Sequence, residues 1–317
     1  MANTPDATVR LTAIDCASRG VAGLRVNMRL LIGVRVLRNL ILFALLAGSV
    51  LLPVLALGLD LVIGLPKDLD NLDGLDRGIE WLADLTDRLT WTPQLLVALG
   101  AMVLLWLLAG YIYCFFQAGT YGVLAAAERE SLGARVILWS DFSRWGRERL
   151  GRYFALANLY GVFLGAALAF ALLATGSVAS AATTWGTLAA LGVGCVALFP
   201  IFLLFLASGL WYDIACADLA REESSVKVAT RRAVKILGRR LGAVALLLVL
   251  FGAASMAIWL ALFPLSAWVA FLANDRPLVS YVGQGFLQLV GALPGAALET
   301  ILAGAWVALT RSEALGA

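Results

Sequence analysis

Apolar runs recur along this chain at intervals that charged stretches punctuate, and each run is long enough to matter. About 20 consecutive apolar residues cross a bilayer core as a helix. The pattern predicts six such spans, at about 39–59, 93–116, 154–178, 187–210, 241–263 and 294–309. The expected fold is therefore all-α: a polytopic integral membrane bundle with six transmembrane helices and added amphipathic interfacial helices, forming a single membrane domain over 1–317. Prolines mark expected irregularities, because each removes a backbone donor. Pro53 should kink the first span, Pro200 should interrupt the fourth and Pro264 should end the fifth. The last apolar run, 278–310, is too long for one straight crossing. A break at Gly291–Gly295, around Pro294, is expected to separate a partial helix from the sixth span. The uncharged stretch 179–186 should join spans three and four as a tight hairpin.

Polar positions between the runs alternate in sign. Residues 1–38 carry six arginines against Asp6 and Asp15, whereas 60–92 carry eight carboxylates against Lys67, Arg77 and Arg88. Residues 117–153 are again rich in arginine. Positively charged loops stay on the cytoplasmic side, so both termini are expected there, in a bacterial cytoplasmic (inner) membrane. Three basic amphipathic segments, 20–38, 131–152 and 221–240, each lead into a pair of spans. They read either as a parallel threefold repeat or as convergent composition. An acidic amphipathic helix is expected outside, over 73–90. No apolar core follows the charged start, so no cleavable signal peptide is expected.

The densest basic patterning lies between Trp211 and Leu241. Lys227, Arg231, Lys235 and Arg239 are four apart and share one helix face, opposite Val226, Ala229, Ala233, Leu237 and Leu241. A basic amphipathic helix of this kind is expected to lie on anionic lipid headgroups, with its apolar face on the bilayer. In the third span, Gly161 and Gly165 form a GxxxG spacing that allows close helix approach.

Composition changes this picture mainly by exclusion. The 317 residues are 62% hydrophobic and 14% charged, and contain no histidine. Histidine-ligated metals, haem, Ser-His-Asp systems and histidine proton relays are therefore not open to this chain. The four cysteines are scattered and read as packing residues. Asn71, Asp73, Gly74 and Glu80 match part of an EF-hand spacing, but Leu69 stands at its first position and Arg77 lies inside it. A solvated acidic face with Asp73 as helix cap is the simpler reading. No catalytic residue, cofactor site or metal site is expected, and no nucleotide-binding glycine motif precedes a helix.

Two groups remain as candidates. Glu299 is a carboxylate inside a predicted span, where a charge is costly unless paired or hydrated. With Gln284 and Gln288 it could line a polar intramembrane site, or it could lie near the outer interface. Asp213 and Asp218, beside Trp211 and Tyr212, could contact a partner at the cytoplasmic mouth, or could be helix-end charges paired with arginines such as Arg221.

Tyr212-Asp213-Ile214-Ala215, Asp218-Leu219-Ala220 and Glu223-Ser224-Ser225, followed by the Arg-rich run, form one half of a familiar pattern. The other half is Phe116-Gln117-Ala118-Gly119-Thr120-Tyr121-Gly122 with Phe142 and the stretch 147–153. Together they resemble a loose group of bacterial six-span proteins, similar to the membrane domain found beside glycerophosphodiester phosphodiesterases. The resemblance implies an all-helical membrane protein of no settled activity. It does not carry over the phosphodiesterase chemistry, which belongs to a separate soluble domain that uses metal and histidine. The functional expectation is a non-enzymatic accessory or scaffold subunit. Its partners would be anionic membrane lipids and a membrane protein, not nucleic acid. The alternative is a small-molecule or ion transporter built around Glu299.

Overall fold

The computed structural model describes residues 11–57, 93–129, 137–221, 224–272 and 277–315. The outer acidic helix expected over 73–90, and the EF-hand-like spacing within it, lie outside the described residues. Seven helices occupy the described chain: α1 (Ala13–Leu57), α2 (Pro93–Arg129), α3 (Trp139–Trp185), α4 (Thr187–Leu219), α5 (Val226–Arg239), α6 (Leu241–Leu272) and α7 (Pro277–Leu315). All except α5 are long and apolar enough to cross a membrane. The protein is an all-helical, multi-pass membrane protein.

The helices are longer than the expected spans. α1 has 45 residues, α2 37 and α3 47, where about 20 suffice for the hydrocarbon core. The excess lies in the Arg-rich ends. The expected segment 20–38 is the first half of α1, and 139–152 is the start of α3, so neither is a separate interfacial helix. No glycine–proline signal stands between those basic stretches and the apolar runs, and arginine is a good helix former. Only α5 is a discrete short helix. Ser225 caps it, accepting the Val228 N–H at 3.4 Å, and Leu241 begins α6 after the single residue Arg240.

Proline positions depart from expectation in the same direction. α4 runs through Pro200, α6 through Pro264 and α7 through Pro294, so the fifth span does not stop at Pro264 and the last apolar run is one helix. In an apolar medium, ending a helix strands several backbone groups, whereas an internal proline strands far fewer. The non-helical residue in α1 is Asn27 (φ −114°, ψ 25°). Its buried Oδ1 accepts the Ile137 backbone N–H at 2.9 Å, anchoring the start of the α3 region to this kink. The α3–α4 hairpin is tighter than expected. Gly186 alone separates the two helices, at φ +87°, a left-handed conformation that glycine adopts without steric cost.

The chain divides into two compact units. One comprises Asn39–Tyr113 and Val162–Leu206. Within it, Trp106 Nε1 donates to Ser49 Oγ at 3.0 Å, and its surface is apolar, with Phe43, Leu172 and Val196 exposed by 72%, 74% and 76%. The other comprises Met1–Arg38, Cys114–Gly161 and Ala207–Ala317, and it carries the deepest core: Tyr121, Phe142, Tyr153, Leu156, Ile214 and Trp306 are buried. Its helices meet closely. A Cβ on Gly119 would lie 2.5 Å from Phe142 ring atoms, and one on Gly304 would lie 2.8 Å from Gly20 Cα. Gly161 and Gly165, by contrast, have no described atom within 4 Å of such a Cβ, so the close approach expected from that GxxxG spacing is made elsewhere.

Helix α5 corrects one further expectation. Ala229, Ala233 and Ile236 are buried in the protein, so its apolar face packs inward and does not lie on a bilayer. Lys227, Arg231, Lys235 and Arg239 are exposed on the opposite side, as the helical spacing requires.

Candidate functional site

The first site grows from a paired arginine motif. Arg35 and Arg38 stand one turn apart on α1 and are both buried. Arg35 Nη1 donates to Glu299 Oε2 of α7, and Arg38 Nη2 lies 3.4 Å from the same oxygen. The Glu299 side chain remains 56% exposed. Asp213 of α4 is half-buried and within Coulombic reach of both Arg35 and Glu299. Tyr121 of α2 donates its hydroxyl to the Asp213 carbonyl at 3.4 Å. Tyr160 of α3 stacks on Tyr212 with ring centroids 4.7 Å apart. Two guanidinium groups of α1 thus meet the Glu299 carboxylate of α7, with Asp213 of α4 nearby. Burial of such charge is tolerable only when it is paired.

Glu299 therefore meets the basic segment of α1. Gln284 and Gln288 belong to α7, with side chains outside the described residues. They stand about 22 and 16 Å from Glu299 along the continuous helix axis. Arg35, Arg38 and Asp213 complete the polar group around Glu299 instead. These partners were missed in the sequence, although the need of an intramembrane carboxylate for a partner was the signal that could have found them.

Asp213 and Asp218, read as a pair, part company. Five residues on a helix separate them by about 140°. Asp218 is 1% exposed and turns to a second cluster. Ser224 Oγ donates to its Oδ2 at 2.6 Å, Arg232 Nη1 lies 3.5 Å from Oδ2, and Arg221 Nη1 lies 3.6 Å from Oδ1. This cluster fixes the α4–α5 connection to α5. It also borders a cavity of about 530 Å³ whose lining includes Arg129, Arg221, Arg232 and Arg311.

Several of the described residues that carried the resemblance meet in this unit. Tyr153 donates its hydroxyl to the Cys216 carbonyl at 2.7 Å, and Phe142 packs on Gly119. These contacts pack α2, α3 and α4 together. Among the described residues no three His, Cys, Asp or Glu side chains converge as a metal would require. No family model, curated protein or solved structure matches this chain.

Proposed function

We propose that this protein is a non-enzymatic accessory or scaffold subunit of a bacterial cytoplasmic membrane, with both termini cytoplasmic. The observation that carries this reading is the pairing of Glu299 with Arg35 and Arg38. A carboxylate that could have served a transport pathway instead ties α7 to α1. Asp218 is used in the same way, between the α4 end and α5. The orientation is supported by charge, since the Arg-rich ends of α1 and α3 and the basic helix α5 belong on the cytoplasmic side. The exposed face of α5, with Lys227, Arg231, Lys235 and Arg239, is the surface offered to anionic lipid headgroups or to a partner membrane protein. Purification from native membranes in mild detergent should recover a stable complex, lost when these four residues become Ser. Recovery of the chain alone, with the variant behaving as wild type in cells, would overturn the reading.

A second reading, a small-molecule or ion transporter, is favoured by one observation. Asp213 on α4 lies close enough to feel the charges of both Arg35 and Glu299, so a second carboxylate stands near the ion pair. In proteoliposomes this reading expects Glu299→Gln to abolish substrate- or proton-coupled flux. Unchanged flux would remove Glu299 from any transport site.

A further inference from the structure

We infer that the cleft between α6 and α7 is a binding site for a hydrocarbon chain, the acyl tail of a membrane phospholipid. The cleft measures about 420 Å³, and its walls include Ile258, Trp259 and Leu262 of α6 and Leu287, Gly295 and Leu298 of α7. Both helices belong to one compact unit.

The packing of the two helices makes the cleft. Near the end of α6 and the start of α7 they touch, because a Cβ on Gly283 would run into the Val269 side chain. Further along they part. A Cβ on Gly291 would meet only Leu262, at 3.5 Å, and one on Gly295 would meet nothing within 4 Å. The missing side chains leave room along α7 that the side chains of α6 do not fill.

The dimensions suit a single tail. The cleft follows 255–266 on α6 and 287–298 on α7, about 16 Å of helix axis. A hydrocarbon core of about 30 Å gives each leaflet about half that depth. The volume lies in the usual range for small-ligand sites, roughly 300–1,000 Å³.

The walls favour hydrocarbon over water, which needs about two to four polar partners when it is enclosed. Ser255 and Ser266 supply the polar side chains of the lining, and Ser266 Oγ already donates to the Phe263 carbonyl at 2.8 Å. Continuity with the lipid-facing surface gives the source. Trp259 lines the cleft yet is 74% exposed, and Met256, Leu260 and Phe263 are exposed near it on α6. That helix is long and apolar enough to cross a membrane. A tail can therefore enter from the bilayer without passing through water.

The site stands whether the protein is an accessory subunit or a transporter. For the test, the full chain is reconstituted with phosphatidylcholine that carries a diazirine in one acyl tail. It is then extracted, stripped of loose lipid in detergent and irradiated, and the label is located by peptide mass spectrometry. Label is expected within 255–266 and 287–298, and not around the exposed Leu172 and Val196. Gly295→Leu, which puts a side chain into the cleft, should lower the label about tenfold. Gly165→Leu, at an equally open position on α3, should label as wild type does. So should Gln288→Ala, which varies a residue beside Leu287 whose side chain lies outside the described residues. Label spread evenly over the spans would mean loose surface lipid only and would overturn the site. Retained lipid with an unlabelled cleft would give the space to a partner helix or a second copy, and would overturn it too. So would the absence of any retained label, equal labelling of Gly295→Leu, or loss of label in Gln288→Ala. The wild-type distribution decides the matter even if Gly295→Leu does not fold.

Discussion

Gly20 of α1 and Gly304 of α7 face each other backbone to backbone. A Cβ on Gly304 would lie 2.8 Å from Gly20 Cα, and one on Gly20 would run into the Ile301 carbonyl oxygen. The contact holds α1, which carries Arg35 and Arg38, against α7, which carries Glu299. Neither residue has a side chain, so the two backbones meet directly. The ion pairs then fix the register of two helices that glycine has already allowed to touch.

Gly20→Ala and Gly304→Ala should each destabilise the protein, because backbone cannot move aside as a side-chain end can. Overpacking costs about 1–3 kcal/mol, which exceeds the roughly 1 kcal/mol gained from helix propensity. Gly161→Ala and Gly165→Ala meet open space and should be neutral or slightly stabilising. Melting curves in detergent for the four variants check the contrast; similar midpoints for all four would contradict the crossing.

Thiol reactivity should divide the cysteines one against three. Cys195 is exposed, whereas Cys16, Cys114 and Cys216 are buried. Cys195 lies in an apolar span, so a small apolar maleimide that enters the detergent belt should label it ahead of the other three in the native chain, and all four after denaturation, counted by intact mass. Rapid native labelling of Cys216 would show that the α2–α3–α4 core is not packed as described.

The Arg35–Glu299 pair should show coupling in a double-mutant cycle. Glu299→Gln alone should be the milder change, because the amide keeps an oxygen that can accept from Arg35 and Arg38. Arg35→Gln should be worse, because it leaves only the longer Arg38 contact, at 3.4 Å, to hold Glu299 and removes a positive charge near Asp213. The double variant should be less destabilised than the sum of the singles by about 1 kcal/mol. Additive melting shifts would mean that the pair is not coupled.

Accessibility across the membrane tests the orientation. In a cysteine-free background, single cysteines at Lys235 and Arg231 should react with an impermeant maleimide only from the cytoplasmic side, and cysteines placed within 70–88 only from outside. The reverse pattern, or labelling of both sets from one side, would overturn the assigned threading.

Much of this protein could be read from periodicity and charge alone. Six crossings were legible because a span must be apolar over about 20 residues, and the exposed face of α5 was legible because helical spacing places Lys227, Arg231, Lys235 and Arg239 together. The sequence also showed that Glu299 would need a partner. It could not say that the partners are Arg35 and Arg38, more than 250 positions away, nor that Asp213 and Asp218 serve different clusters. It misjudged the prolines, because local rules for helix breaking assume water is present to take up the freed backbone groups. It misjudged the inward face of α5, because an apolar stripe is equally suited to a bilayer and to a protein surface. Those choices depend on which helices lie side by side, and only the tertiary structure decides that, through contacts such as Gly20 with Gly304, where the missing side chains let two distant segments meet.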